Sequence, residues 1–266
     1  MEHVLVQRNG SRATVVMDRP DVHNAFNDVV ITELTDTFRE LGNDPSVRVI
    51  VLSSTGKSFS AGADLNWMRR MIDYSRDENI RDAMALATLF RTIDETRKPV
   101  IARVHGAALG GGAGLVAVAD IAIATERAKF AFSEVRLGII PAVISPFVIA
   151  KIGAGAARRY FLTGERFTAQ RALEIGLVST VVAADEIDPT IDQLCDDIAQ
   201  AAPEAVGHAK HLIEQVLATT DAAAADRLTA ELIADRRAST EGQAGMRSFL
   251  EKRKPAWLEG DGGQRE

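Results

Sequence analysis

Two glycine-containing segments of the sequence are candidates for binding a small molecule through main-chain amides. They are residues 58–65 (SFSAGADL) and residues 105–112 (HGAALGGG). Each follows an apolar run typical of a buried strand and leads into a predicted helix, where ligands bind in parallel sheets. Glycine lets the main chain approach a ligand, and helix N-termini direct unpaired N–H groups outward. Glycines that only form tight turns are the alternative, but the pair of segments favours a site. Two converging amides would stabilise a carbonyl oxygen that gains negative charge.

Several other ligand-binding and catalytic motifs are excluded because their residues do not have the required spacing. The GKS tripeptide at 56–58 resembles the end of a phosphate-binding loop, but position 51, where that motif needs glycine, is Val51. The glycine run at 110–112 is not a dinucleotide-binding fingerprint, because the third glycine of that motif would fall on Leu115. No serine stands at the G-x-S-x-G spacing of an α/β-hydrolase. His208 and His211 lie three residues apart without a third ligand, so we predict no metal site.

The elements that must position the two segments alternate between strand and helix. An Asn9-Gly10 turn predicts a hairpin, Asn27 is a candidate helix cap with Gly42 at the helix end, and apolar spacing predicts a second helix across 80–93. Strands are predicted at 4–7, 13–17, 47–52, 100–104, 120–124, 129–132 and 178–182. This alternation predicts an α/β fold with a mainly parallel sheet.

A change in composition divides the chain. After Pro203 the sequence is rich in alanine and predicted helical to about Lys252. We therefore predict an α/β core at 1–200 and an all-helical region at 201–266.

Composition excludes several classes of protein. The chain has 266 residues, of which 46% are hydrophobic, and a net charge of −6, so it is neither disordered nor a basic nucleic-acid binder. Cys195 is the single cysteine, which excludes an intrachain disulfide and favours a small buried side chain. No apolar run approaches the roughly 18 residues of a membrane span, and no signal peptide is read. These features predict a soluble, cytoplasmic protein that binds no membrane.

Several segments, in the correct order along the chain, resemble the crotonase (enoyl-CoA hydratase/isomerase) superfamily. The segments are 60–65 (SAGADL), 106–112 (GAALGGG), 119–121 (ADI), 132–141 (FSEVRLGIIP) and 162–164 (LTG). Finer features resemble the bacterial methylglutaconyl-CoA hydratases of leucine and isoprenoid breakdown; these are 64–68 (DLNWM), 142–146 (AVISP) and 158–163 (RRYFLT).

The resemblance implies a crotonase-like spiral of ββα units with a C-terminal helical trimerisation region. It also implies an acyl-CoA thioester substrate, no cofactor beyond the CoA of that substrate, and assembly as a homotrimer or dimer of trimers. The amides of Ala63 and Gly111 would bind the thioester oxygen, and Glu134 would be the acid/base. The implied substrate-binding residues are Ala25, Ser60, Ala61, Ala63, Asp64, Leu65, Asn66, Gly111, Gly114, Pro141 and Ala142. Candidates for the CoA phosphates are Lys57, Arg69, Arg70 and the basic residues 252–254.

The chain departs from the hydratase pattern at two positions. Hydratases of this family usually carry a second glutamate where this chain has Gly114, and commonly a glycine where it has Ala142. We hypothesise that Gly114 opens space for the carboxylate of an acidic substrate, and we interpret Asp64 as a helix cap and Asp120 as structural. Hydration of a 2-enoyl-CoA is the leading interpretation. Δ3,Δ2-enoyl-CoA isomerisation, which needs one base, and non-catalytic acyl-CoA binding remain alternatives.

Overall fold

The computed structural model describes residues 2–258, and strands and helices alternate over its first two thirds. The strands are β1 (Val4–Asn9), β2 (Arg12–Met17), β3 (Val49–Ser54), β4 (Ser58–Ser60), β5 (Val100–Val104), β6 (Ala107–Leu109), β7 (Ile121–Thr125), β8 (Lys129–Ala131), β9 (Phe167–Thr168) and β10 (Thr180–Val182). The α-helices are α1 (Asp28–Asn43), α2 (Leu65–Met71), α3 (Arg76–Glu95), α4 (Gly111–Val118), α5 (Ser145–Thr163), α6 (Ala169–Glu174), α7 (Ile187–Gln200), α8 (Pro203–Ala218), α9 (Ala222–Ala238) and α10 (Thr240–Leu250). Short 3-10 turns lie at Pro20–Val22, Glu134–Leu137 and Ala256–Leu258.

The strands of the described chain form a large and a small sheet. The large sheet has the order β1-β2-β3-β5-β7-β10, and all of its neighbours are parallel except the β1–β2 hairpin. The small sheet has the order β4-β6-β8-β9, with β4, β6 and β8 parallel. The pairs β3–β4, β5–β6 and β7–β8 therefore each send a long strand to the large sheet and a short strand to the small sheet before the chain turns into a helix. This arrangement confirms the α/β class and the spiral of ββα units.

The large sheet is buried on both faces. All six residues of β3 are buried. Ile50 and Leu52 belong to the main core, whereas Val49 and Val51 pack in a second cluster that includes Ile191 of α7. A parallel strand covered on both faces needs such a continuous apolar run, which is why it was visible in the sequence. The same second cluster holds Cys195 as a buried free thiol, as predicted.

Local signals located most elements to within a few residues. The hairpin at Asn9-Gly10 is confirmed, and the Asn27 side chain caps α1 by accepting a hydrogen bond from the Val30 amide at 2.9 Å. In α3 only the second half of the predicted apolar face is buried, at Phe90 and Ile93. Of the strands in the small sheet, β8 was predicted, at 129–132. The strands β4, β6 and β9 were not predicted, because runs of two or three residues are too short to show periodicity.

The helices from residue 203 onward contact the core through α8. The Lys210 ammonium group lies 2.9 Å from a carboxylate oxygen of Asp120, and the same oxygen accepts a hydrogen bond from the Val100 amide. Asp120 thus joins β5 to α8, which agrees with a structural role. The division into regions 1–200 and 201–266 stays a prediction, and its last residues, 259–266, lie outside the described chain. None of the helices between residues 2 and 258 has the length and apolar character that a membrane crossing requires.

Candidate active site

The small sheet brings the two glycine-containing segments side by side. β4 lies within the first segment and β6 within the second, and the two strands pair in parallel. Beyond the strands the main chains stay in contact, because a Cβ atom on Gly62 would lie 3.0 Å from the carbonyl oxygen of Leu109. A Cβ atom on Gly112 would lie 2.5 Å from the carbonyl oxygen of Ser60. Glycine at 62 and 112 therefore permits this approach of the two segments.

The amide of Ala63 faces away from the chain that supports it. Phe26 pairs with Ala63 as an isolated parallel bridge: the Phe26 amide donates to the Gly62 carbonyl, and the Asp64 amide donates to the Phe26 carbonyl, both at 2.7 Å. In such a bridge the N–H of the middle residue points to the opposite side. Ala63 is exposed, and its amide has no acceptor within residues 2–258. It is a free donor at the mouth of the site.

Gly111 supplies a second outward amide as the first residue of α4. First-turn amides have no acceptor inside their helix, and none is provided to Gly111 by the rest of the described chain. The preceding Gly110 has φ = +52°, a conformation that favours glycine. A Cβ atom on Gly111 would lie 2.7 Å from the Phe26 ring, so a side chain does not fit there either. Phe26 therefore contacts both amide-bearing segments.

The carboxyl group of Glu134 points toward the start of α4. Its Oε1 atom lies 3.3 Å from where a Cβ atom on Gly110 would stand, and its buried Oε2 atom has no hydrogen-bond partner within residues 2–258. Burial raises the pKa of Glu134 above its ordinary value, because the ionised form loses water around it. A carboxyl group of raised pKa that keeps one oxygen free, next to the start of the helix that carries the Gly111 amide, is suited to accept and return a proton.

An ion pair supports the first amide from behind. The Arg19 guanidinium donates to the Asp64 carboxylate at 2.9 Å and to the Ala25 carbonyl at 2.6 Å, and both charged side chains are largely buried. Asp64 also accepts from the amide of Asn66 at 2.7 Å, which confirms its role as the cap of α2. Burial raises the pKa of Asp64, but the bonds from Asn66 and Arg19 outweigh this and hold it below its ordinary value. The carboxylate stays ionised and links the turn at residue 25 to the chain next to Ala63.

A buried asparagine holds that turn. Asn24 has φ = +54°, and its side chain donates to the carbonyls of Thr55 and Ser58 at 2.7 and 2.9 Å. The amide of Arg19 donates to the Asn24 side-chain oxygen at 2.8 Å. Sequence reasoning did not identify Arg19 or the support given by Asn24. Asparagine's tolerance of positive φ was a possible signal for a turn here, but the carbonyl partners at Thr55 and Ser58 lie over thirty residues away in the chain.

The remaining predicted substrate-binding residues fall into an exposed and a buried group. Ala61, Leu65, Asn66 and Ala142 are exposed, whereas Ala25, Ser60, Gly114 and Pro141 are buried. Ser60 has no exposed surface, so in this conformation it supports the glycine segments and offers no contact surface to a ligand.

The expected open space beside Gly114 is not there. A Cβ atom at this position would lie 2.5 Å from the Cγ2 atom of Ile144 and 3.0 Å from the Cζ atom of Phe90. Two apolar side chains already fill the volume, so the hypothesis that a substrate carboxylate enters it is wrong.

The predicted phosphate-binding cations are exposed. Lys57, Arg69 and Arg70 are exposed; Arg69 donates to the Asn66 side chain, and Arg70 pairs with Asp28 at 2.5 Å. Basic residues 252–254 are exposed beyond α10. In the described part of the chain, no three His, Cys, Asp or Glu side chains come together as a metal site.

Comparisons with known proteins match this arrangement over nearly the whole chain. An enoyl-CoA hydratase/isomerase family model matches residues 7–260. The chain is 32% identical to a short-chain-enoyl-CoA hydratase of Clostridium acetobutylicum, covering 96% of this chain and 97% of the relative. It superposes on an enoyl CoA hydratase/isomerase (crotonase) from Legionella pneumophila with a TM-score of 0.90 and 44% identity, covering 96% and 98% of the two chains. For an enoyl-CoA hydratase from Shewanella pealeana these values are 0.93 and 42%, with 96% of each chain covered.

The family model, the relative named as a hydratase and the two solved structures all indicate the same family. The two solved structures share the fold of this chain across both the core and the C-terminal helices. The chain therefore belongs to the enoyl-CoA hydratase/isomerase (crotonase) family and is an enzyme of the carbon–oxygen lyase type.

Proposed function

We propose that this protein adds water reversibly across the C2–C3 double bond of a 2-enoyl-CoA, with Glu134 as its acid/base. The observation that carries the proposal is a Glu134 carboxyl group at the start of α4 whose Oε2 atom has no partner within residues 2–258, in a site where the amides of Ala63 and Gly111 also have no acceptor in that range. A thioester needs this combination, because negative charge collects on its carbonyl oxygen when C3 is attacked.

The reaction balances with one carboxyl group. The amides of Ala63 and Gly111 hold the thioester oxygen, and the ionised Glu134 takes a proton from water as the water oxygen bonds to C3. The electrons of the C2–C3 double bond move onto the thioester oxygen and form an enolate. Glu134 then returns its proton to C2, the carbonyl re-forms, and the carboxylate is regenerated. Loss of one such amide donor typically costs about 3 kcal/mol of barrier.

We further propose that the acyl group is branched, with 3-methylglutaconyl-CoA of leucine breakdown as the first substrate to test. The finer sequence resemblance at 142–146 supports this choice. So does the absence of an acid at Gly114, since a second carboxylate in the site would repel an acidic acyl group. The filled space at Gly114 requires the substrate carboxylate to lie elsewhere.

The proposal also covers how CoA is bound, how the subunits assemble and where the protein is located. The exposed Ala61, Leu65 and Asn66 line the CoA path, with Lys57 and the basic residues nearby contacting its phosphates, and no other cofactor takes part. We propose assembly as a homotrimer or dimer of trimers, supported by the large apolar side chains exposed on the C-terminal helices. A cytoplasmic location completes the proposal, and the free thiol of Cys195 is compatible with a reducing compartment.

The deciding experiment follows the absorbance of the conjugated enoyl-thioester over a panel of substrates that includes crotonyl-CoA and 3-methylglutaconyl-CoA. We expect the absorbance to fall as water adds. Its appearance from a 3-enoyl-CoA, without hydration, would indicate double-bond isomerisation instead. Tight acyl-CoA binding with no change in absorbance would indicate a binding protein and contradict the proposal.

A further inference from the structure

One face of α4 contacts both the carboxyl group of Glu134 and an apolar wall formed by Ile144 and Phe90. The Gly114 amide donates to the Gly110 carbonyl at 3.1 Å, so the two glycines lie one helical turn apart on the same face. Gly110 faces the carboxyl group of Glu134, and Gly114 faces Ile144 and Phe90. The carboxyl group and the two apolar side chains therefore face the same strip of the helix, one turn apart, and neither glycine of this strip carries a side chain.

The wall is anchored and allows little adjustment. Ile144 and Phe90 are 3% and 0% exposed. The Ile144 carbonyl accepts from the Val148 amide at 3.0 Å at the start of α5, and the Phe90 ring packs on Phe147 with centroids 5.6 Å apart. Since even the Cβ atom of Ile144 is 3.1 Å from where a Cβ atom at 114 would lie, rotating its side chain does not fully relieve the contact.

We propose that Ile144 is a specificity-determining residue of the acyl pocket: it takes the volume of the missing side chain at Gly114 and thereby limits the size of the acyl group beside Glu134. This inference rests on the proposed function. Apolar parts of the acyl group pack on Ile144, which keeps a small exposed surface, while the fully buried Phe90 supports it from behind. A charged end of the acyl group avoids this surface, because an unpaired charge is costly to bury. Residues 114 and 144 form a volume pair, in which a larger side chain at one position requires a smaller one at the other.

The first test compares acyl chains of different length. The ratio of kcat/KM for 2-hexenoyl-CoA to that for crotonyl-CoA is measured in the wild type, Ile144→Val, Ile144→Ala and the control Ile149→Ala. Ile149 is a half-exposed isoleucine of the same helix. We expect the ratio to rise about tenfold in Ile144→Ala, since a methylene-sized change in an apolar pocket alters discrimination by at least that factor. Ile144→Val should give a smaller rise, and Ile149→Ala none.

The second test asks whether the two positions share one volume. Alanine is favoured over glycine inside a helix, so a lower Tm in Gly114→Ala reports the contacts with Ile144 and Phe90 rather than helix propensity, and the Ile144→Ala background separates the share of Ile144. We expect Gly114→Ala to lower Tm and kcat/KM strongly in the wild type and less in the Ile144→Ala background, from which the nearest atom is gone. Equal losses in both backgrounds would overturn the volume pair.

The outcomes separate this inference from the proposed function. An active Ile144→Ala with an unchanged substrate ratio would refute the specificity role alone. A wild type that hydrates no enoyl-CoA would refute the proposed function and this role with it. Should Ile144→Ala fail to fold, the ratio in Ile144→Val decides, and an unchanged value there refutes the role.

Discussion

At the scale of single residues, Glu134 is expected to trade stability for activity. Burial raises the pKa of Glu134 in the folded state above its pKa in the unfolded state. Protonation of Glu134 therefore stabilises the fold. This stabilisation is complete below the unfolded-state pKa and is lost as pH rises through the folded-state pKa. Near pH 7 the ionised carboxyl group therefore destabilises the fold. We expect Glu134→Gln to lower kcat by at least about 100-fold while Tm stays equal or rises. Steady-state kinetics and thermal unfolding at pH 7 provide the measurements.

The matched control is Glu126→Gln, which removes an exposed carboxylate from the turn between β7 and β8. It should change neither kcat nor Tm. Binding of an acyl-CoA should persist in Glu134→Gln, because the two amides remain. A fully active Glu134→Gln variant would rule out the assigned role.

The raised pKa of Glu134 also predicts the pH dependence of the rate. Hydration needs the ionised form, so kcat/KM should fall as pH decreases through the pKa of the free enzyme. We expect this acid limb to lie above the ordinary glutamate value of about 4.3, because burial shifts the pKa upward. A profile of kcat/KM between pH 4 and 9 measures it; a limb at or below about 4.3 would contradict the burial argument.

At the scale of elements, the Arg19–Asp64 ion pair should determine how well the amide of Ala63 is placed. It joins the turn at residue 25 to the first residues of α2, on either side of that amide. We expect Arg19→Ala and Asp64→Asn to lower kcat by about 10- to 100-fold, since small misplacement of a reacting group has effects of this size. When a carbonyl-labelled thioester binds, its infrared carbonyl band should shift less from the free position in these variants than in the wild type. The reason is that a displaced Ala63 amide polarises the carbonyl group less.

Arg39→Ala is the control for this prediction, since it removes an exposed arginine that pairs only loosely, at 3.6 Å, with Asp36. Its kinetics and its carbonyl band should match the wild type. If Asp64→Asn lowered Tm but left the carbonyl band unchanged, the ion pair would be structural without positioning the donor.

At the scale of the whole molecule, the C-terminal helices carry large apolar side chains on their surface. Leu217 of α8 is 78% exposed and Phe249 of α10 is 83% exposed. Clusters of such side chains mark contact surfaces between proteins. We expect Leu217→Glu to dissociate the proposed oligomer, because a charge at that position would have to be buried without a partner. Size-exclusion chromatography with light scattering measures the mass.

Gln215→Glu adds the same charge two residues away on α8, at an exposed polar position, and should leave the mass unchanged. A wild-type protein that is monomeric at micromolar concentration would contradict the proposed assembly. An unchanged mass in Leu217→Glu would show that α8 lies outside the interface.

Sequence alone determined the features that arise within a short stretch of chain. The buried run of β3, the hairpin at Asn9-Gly10 and the cap at Asn27 each depend on residues next to one another, so periodicity and turn chemistry revealed them. The order of the glycine-containing segments also indicated the family. The roles of Ala63, Gly111 and Glu134 were proposed from the same resemblance and stay predictions.

Tertiary structure decided which distant residues share a volume or a charge. Ile144 fills the space at Gly114, and Arg19 pairs with Asp64 across forty-five residues of chain. The Oε2 atom of Glu134 is buried without a hydrogen-bond partner among residues 2–258, which depends on what the fold packs around it. Whether an absent side chain leaves a hole depends on what packs there from elsewhere in the chain, and close packing of interiors means that it is usually filled. No local pattern contains that information.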